Sequence, residues 1–283
     1  MEPILVSVIC PVINRFYSIG LLNAMYKNTK EKNWELILVL DDYSDYPDYP
    51  MKGNKHVFSM LKEIFREKKN IKFLKASESN YKFDISEKTF RIAAATNWGA
   101  TNADGEYFLI SNDDWYYTPY WLENYLTITN EVDMNRTIIT AINLESWKIR
   151  EQNADPKERM WNTLIEAGRR YFFTPRDIKD GVDETELIDY WKNTKMDISD
   201  IELNCSGPLG NELPIFILRS IWNSMNGRKL NGCGNATTDF HDRLKSRGFT
   251  KIVPRNIYIY NFLNYNFLGV GIPVNYNWER KDF

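Results

Sequence analysis

Apolar positions along this chain come in runs that change period, and the changes mark its elements. Residues 4 to 13 read ILVSVICPVI, β-branched and nearly unbroken. A strand buried on both faces reads this way, because neither face has to be polar. YSIGLLNAMYKNT follows, with Ile19, Leu22 and Met25 at helical spacing. WELILVLDDYS is a second continuous strand, and VFSMLKEIFREKKN an amphipathic helix whose last turn is basic, as the helix dipole favours. IKFLKA predicts a third strand. SEKTFRIAAATNWGATNADG predicts a helix opened by Ser86 and closed by Gly105, and EYFLISNDD a fourth strand.

Strands alternating with helices imply an α/β fold with a mostly parallel open sheet. Ligands of such sheets bind beyond the carboxyl ends of the strands. Polar residues collect at those ends here. The first strand finishes at Pro11, Asn14 and Arg15, the second at Asp41 and Asp42, and the fourth at Asn112, Asp113 and Asp114. The second half is less regular. KERMWNTLIEAGRRYF and DETELIDYW have helical patterns, IFIL is a short apolar strand, RSIWNSMNG a helix, and GCGNATTDFHDRLKSRGF a loop leading into one. No internal repeat or linker separates the halves.

Composition narrows the function without choosing it. The 283 residues suit one large domain or two small ones. A net charge of −2 provides no overall basic field, so no nucleic-acid partner is expected. Cys10, Cys205 and Cys233 are too scattered for a disulfide framework or a cysteine-rich zinc site. The first apolar run is preceded by Glu2 and broken by Ser7 and Pro11, unlike a signal peptide, and no run reaches membrane-spanning length. These features predict a soluble, cytoplasmic protein without a transmembrane segment.

The stretch EYFLISNDDWYY is the most informative. Adjacent carboxylates at the end of a buried strand repel one another and lose hydration. A divalent cation would settle them, although Asn and Asp also start ordinary turns and helices. Trp115, Tyr116 and Tyr117 suit a ligand cleft or a thick core.

Four segments in order resemble the GT-A glycosyltransferases, specifically the large family 2 of nucleotide-sugar-dependent enzymes. VSVICPVINR is similar to the family's SVIIPTYNR. LILVLDDYSD is similar to IIVVDDGSTD, with Tyr43 where glycine is usual. RIAAATNWGATNADGEYFLISNDD resembles AARNxGxxxAxGEYIxFLDxDD, and TTDFHDRLKSRGF resembles EDTDFxLRLxxxGY. The resemblance covers residues 4 to 120 and, more loosely, 207 to 250. It implies a nucleotide-sugar-binding half, residues 1–120, and an acceptor-binding half, residues 121–283, of one GT-A domain.

The resemblance also assigns expected roles. The donor is a UDP- or GDP-linked sugar, and the acceptor a hydroxyl on a glycan, lipid or protein. Asp114, with Asp113 beside it, would hold Mn²⁺ or Mg²⁺. Asn112 departs from the family's acidic first position. Asp42, backed by Asp41, would accept the ring N–H of uracil or guanine. Arg91 would lie near the nucleotide, and Pro11, Asn14 and Arg15 would shape its pocket. An inverting transfer needs a carboxylate base. Asp239 is expected to supply it, with Asp242 the second candidate. A different alignment puts Thr237 at the catalytic position and makes Asp239 a structural residue. His241 could assist a metal or be an ordinary partly buried histidine.

Other readings remain open at this point: a retaining GT-A enzyme, or a nucleotide-sugar-binding protein without transfer activity. A sugar nucleotidylyltransferase would need a Gly-rich loop with a basic residue after the first strand, and CPVINRFYSIG does not supply one.

Overall fold

The structure is a computed structural model that describes residues 4–12, 22, 25–26, 28–40, 61–63, 65–81, 88–113, 115–145, 214–230, 236–252, 254 and 257–261. The helical patterns expected in residues 157–172 and 183–191 lie outside the described residues.

Seven strands form the main sheet. They are β1 (Val6–Val12), β2 (Trp34–Leu40), β3 (Ile71–Lys75), β4 (Tyr107–Ile110), β6 (Thr137–Ile139), β8 (Ile215–Leu218) and β9 (Thr250–Ile252), in the spatial order β3-β2-β1-β4-β8-β6-β9. β3, β2, β1 and β4 run parallel. β8 runs antiparallel to both β4 and β6, and β9 runs parallel to β6. A mixed, mostly parallel sheet is therefore the observed form of the expected α/β fold. A second sheet joins β5 (Trp115–Tyr117), β10 (Tyr258–Asn261) and β7 (Ile142–Glu145), with β10 in the middle. The helices are α1 (Lys88–Thr101), α2 (Trp121–Thr129), α3 (Arg219–Ser224) and α4 (Ala236–Ser246).

Side-chain alternation puts successive residues of a strand on opposite faces, and both faces are covered. Val8, Cys10, Val12, Leu36 and Leu38 join a core with Trp121, Tyr125 and Phe216. Ile9, Ile37 and Val39 join the other core with Ala95, Ile217 and Phe240. All seven residues of β1 and all seven of β2 are buried, which accounts for their lack of polar alternation.

One polar network interrupts this apolar interior at the amino-terminal end of the parallel strands. Glu35 is only 3% exposed. Its Oε1 accepts from the Ser7 hydroxyl at 2.6 Å and from the Asp104 backbone N–H at 2.7 Å. Its Oε2 lies 2.8 Å from Lys72 Nζ, which also meets Asp104 at 2.6 Å and the Asn102 carbonyl at 2.9 Å. The Ser7 hydroxyl oxygen in turn accepts from the Gly105 N–H at 2.8 Å. β1, β2, β3 and the turn from α1 into β4 are thus tied at one point. Gly105 has to be glycine for space: a Cβ there would sit 2.5 Å from Ser7 N.

Replacing Glu35 tests this knot. Glu35→Ala leaves two donors without their acceptor and should cost roughly 2–4 kcal/mol in urea unfolding. Glu35→Gln keeps an acceptor for Ser7 and Asp104, loses mainly the half-exposed ion pair, and should cost about 1 kcal/mol. Equal losses would show that the hydrogen bonds contribute nothing beyond the ion pair.

Candidate active site

The carboxyl ends of β1 and β4 meet at the opposite edge of the sheet. β4 ends at Ile110, opposite Ile9, and the Ser111 N–H donates to the Ile9 carbonyl at 2.8 Å. Alternate residues of β1 face β4, so the next one, Pro11, looks past the end of that strand. A proline without an N–H is tolerated there because no ladder partner is waiting. Pro11 is buried, and so is Asp113, 2% exposed, in the turn just beyond β4.

Arg91 approaches the same edge from a helix. α1 leads through residues 102–106 into the start of β4, so it runs against the strand direction and its first turn lies at the strands' carboxyl ends. It packs on β1 and β2. Arg91, in that first turn, is 2% exposed. Arg91 is thus not a surface cation. Pro11, Arg91 and Asp113 share this edge of the sheet, while Asn14, Arg15, Asp41, Asp42 and Asp114 lie outside the described residues. Asp41 and Asp42 follow directly after the last residue of β2.

The aromatic residues after Asp114 have a structural role. Trp115 is 3% exposed and Tyr117 fully buried, both within the core. The Tyr117 hydroxyl donates to Ser111 Oγ at 2.8 Å, and the Asn28 side-chain amide donates to the Tyr117 carbonyl at 2.6 Å. Burial pushes the phenol of Tyr117 far above its ordinary proton affinity, so it stays a neutral donor. Ser111 and Tyr117 thereby bracket the segment carrying Asn112, Asp113 and Asp114. Stacking on a sugar is not available to Trp115 or Tyr117 in this arrangement. Trp161 and Tyr171 to Phe173, further aromatic candidates, lie outside the described residues.

On α4, Asp239 is engaged at both oxygens. Oδ1 lies 2.9 Å from Lys229 Nζ, and Oδ2 accepts from Arg243 Nε at 2.7 Å. Partial burial alone would raise its carboxyl's pKa, but Lys229 and Arg243 together hold it below the ordinary carboxylate value. Asp242 is exposed and makes no hydrogen bond or ion pair among the described residues. Arg243, Lys229 and Asn97 were not legible as a group. The one signal was the i,i+4 spacing of Asp239 and Arg243, a standard helical ion-pair spacing. His241 is partly buried, and its Nε2 has no hydrogen-bond partner among the described residues. Among the described residues no three His, Cys, Asp or Glu side chains gather as a metal site.

A mixed, mostly parallel sheet with a buried Asp113 in the turn after β4 fits the GT-A class of α/β folds. The sequence pattern of Glycosyl transferase family 2 matches residues 7–184, and the chain belongs to that family. Among solved structures, the fold matches mannosyltransferase PcManGT from Pyrobaculum calidifontis in complex with GDP-Man and Mn²⁺. The TM-score is 0.53 at 12% identity, over 92% of this chain and 57% of that one. It also matches S. aureus TarS 1-349 in complex with UDP, with a TM-score of 0.52 at 14% identity, over 90% of this chain and 60% of that one. These likenesses establish the fold, and this chain spans less than two thirds of either protein. No curated protein matches the sequence. Among the described residues no helix is long and apolar enough to cross a membrane.

His241 makes the acid stability of this half testable. Burial, then the charges of Lys251 and Arg228, push its imidazole from 6.5 down to about 4. The unfolded chain therefore binds a proton that the folded chain refuses between those values. Its stabilising contribution is complete above pH 6.5 and fades as pH falls toward 4. The loss attributable to this residue should reach roughly 2–3 kcal/mol. His241→Gln should flatten stability against pH in that window, measured by urea unfolding. An unchanged slope would contradict a buried neutral imidazole.

Proposed function

We propose that this glycosyltransferase moves a sugar from a UDP- or GDP-linked donor to an acceptor hydroxyl with inversion, assisted by a divalent cation. The observation that carries the reading is the convergence of a buried carboxylate, Asp113, a buried guanidinium, Arg91, and the end of β1 at one sheet edge. In open α/β sheets that edge is where nucleotides bind. The GDP-Man, Mn²⁺ and UDP carried by the two structural neighbours support the same ligand class.

Asp113 and Asp114 fit a cation of the nucleotide-binding kind. Such ions take one or two protein carboxylates and complete their shell with phosphate oxygens and water, so a cluster of three protein ligands is not required. When bound, the ion would stabilise negative charge on the departing diphosphate. Arg91 contributes fixed positive charge on the same side. Asp42, backed by Asp41, accepts the ring N–H of uracil or guanine, a donor that cytosine lacks. Asn14 and Arg15 complete the pocket beyond Pro11. The body that binds the nucleotide occupies residues 1–120, and residues 121–283 shape the acceptor side.

Inversion needs a proton acceptor beside the incoming hydroxyl. α4 offers two carboxylates, Asp239 in its first turn and Asp242 one turn further on. Asp239 has both oxygens engaged by cations, whereas Asp242 has neither engaged among the described residues.

Two substitutions test the donor site. Asp114→Ala should abolish the Mn²⁺-dependent part of UDP or GDP binding in calorimetry, and unchanged metal-dependent affinity would contradict the assignment. Asp42→Asn should weaken the preferred nucleotide by on the order of 1.5–3 kcal/mol, the loss of a charge-assisted hydrogen bond. A cytidine nucleotide binding tightest would exclude that hydrogen bond.

A further inference from the structure

Residues 225–229, the turn that leaves α3 and leads toward α4, are held from two sides. Arg243 of α4 spends all its guanidinium nitrogens in one place. Nε donates to Asp239 at 2.7 Å, one Nη to the Met225 carbonyl at 2.6 Å, and the other to the Gly227 carbonyl at 2.7 Å. From α1, the Asn97 side chain pairs with both backbone groups of Arg228, donating to its carbonyl at 2.7 Å and accepting from its N–H at 2.9 Å. The Gly227 N–H donates to the Trp222 carbonyl at 3.1 Å.

The backbone here needs such holding. Asn226 and Gly227 have φ of +55° and +61°. Two successive left-handed residues are unfavourable unless contacts over-determine them. A side chain at Gly227 would run its Cβ into Asn97 Oδ1, so the turn, Asn97 and the glycine fit as one piece. Asp239 closes the arrangement by joining Arg243 to Lys229, the last residue of the turn.

Magnitudes separate the possible roles of Asp239. Its side chain is 31% exposed and that of Lys229 is 55% exposed. Ion pairs this close to water add little to global stability, about 0–1 kcal/mol. A carboxylate with both oxygens occupied by cations, and with lowered proton affinity, is also a poor acceptor for a hydroxyl proton. What the geometry does supply is local order. The turn links α1, whose first turn carries Arg91, to α4.

We propose that Asp239 is a positioning residue: through Arg243 and Lys229 it fixes the 225–229 turn and with it the acceptor side of the site, and it does not take the acceptor's proton. The catalytic part of this role rests on the glycosyl-transfer reading above, whereas the hold on the turn does not.

The experiment uses the full chain with Asp239→Asn, Lys229→Gln, Arg243→Lys and the Asp239→Asn/Arg243→Lys pair. Lys229 is largely exposed, so Lys229→Gln is the variant least able to disturb folding. The first measurement is backbone amide exchange. Asp239→Asn should speed exchange at Gly227 and Arg228 about tenfold, with β1 amides unchanged. Lys229→Gln should shift the same amides in the same direction. The second is Mn²⁺-supported hydrolysis of UDP-GlcNAc and GDP-mannose against pH. Asp239→Asn should lower kcat, leave KM within about twofold, and keep the acid limb of the pH profile. Arg243→Lys should act in the same direction, and the pair should be no slower than its slower member. Unchanged exchange in Asp239→Asn would overturn the hold on the turn. Loss of the acid limb in Asp239→Asn alone would make Asp239 the base and overturn the proposal. No turnover of either donor by the unaltered protein would count against the transferase reading, and amide exchange would still decide whether Asp239 holds the turn.

Discussion

The carboxylate of Glu35 is where the fold is held in register. It sits at the amino-terminal end of β2, buried, and gathers a hydroxyl from β1, an ammonium from β3 and a backbone N–H from the turn into β4. A carboxylate taken out of water is tolerated only with such partners, and here they come from three different segments. A one-residue slip of any strand would separate them. Because parallel neighbours aligned at one end are also aligned at the other, this knot sets which residues finish together at the far edge. Pro11 and Asp113 reach that edge side by side for this reason.

The far edge is itself braced, by a different kind of contact. Ser111 is fixed by the Ile9 carbonyl and by the Tyr117 hydroxyl, and Tyr117 is fully buried beside Trp121 and Tyr125. Ser111 and Trp115, on either side of the acidic segment, are therefore both held in the interior. A charged site benefits from such rigidity, because ligands meet groups already in place. After α3 the same principle is met by Asn97 and Arg243, which fasten a strained turn to two helices.

Most of the first four strands were legible because the signal of such strands is a run of apolar residues. β1, β2 and β4 are apolar runs, broken only by Ser7 in β1 and Glu35 in β2, that lead into polar residues, β3 is shorter and half-buried, and IFIL became β8 with the expected limits. Direction was not legible: periodicity says that a strand is buried but not which way it runs, so the antiparallel β8 was not foreseen. The small sheet was missed for a related reason. β5 has three residues, and its partner β10 lies about 140 positions away in a tail rich in Asn and Tyr, so only tertiary pairing makes it a strand. Glu35 was hidden in plain view, because a lone Glu in an apolar run looks like an edge residue until its partners are known. The aromatic group after Asp114 could be read as a ligand platform or as core, and Trp115 and Tyr117 are core. For Asp239, spacing alone allowed a base or a helix ion pair, and the structure shows cations at both of its oxygens.

The central claim is that a nucleoside diphosphate and a divalent cation meet at the carboxyl edge of β1 and β4. The most direct measurement is the anomalous scattering of Mn²⁺ in crystals of the protein grown with UDP and, separately, with GDP. The account predicts a manganese peak beside Asp114, between its carboxylate and the diphosphate, with the base near Asp42. A nucleotide bound away from this edge, or a manganese ion held by residues other than Asp113 and Asp114, would contradict it.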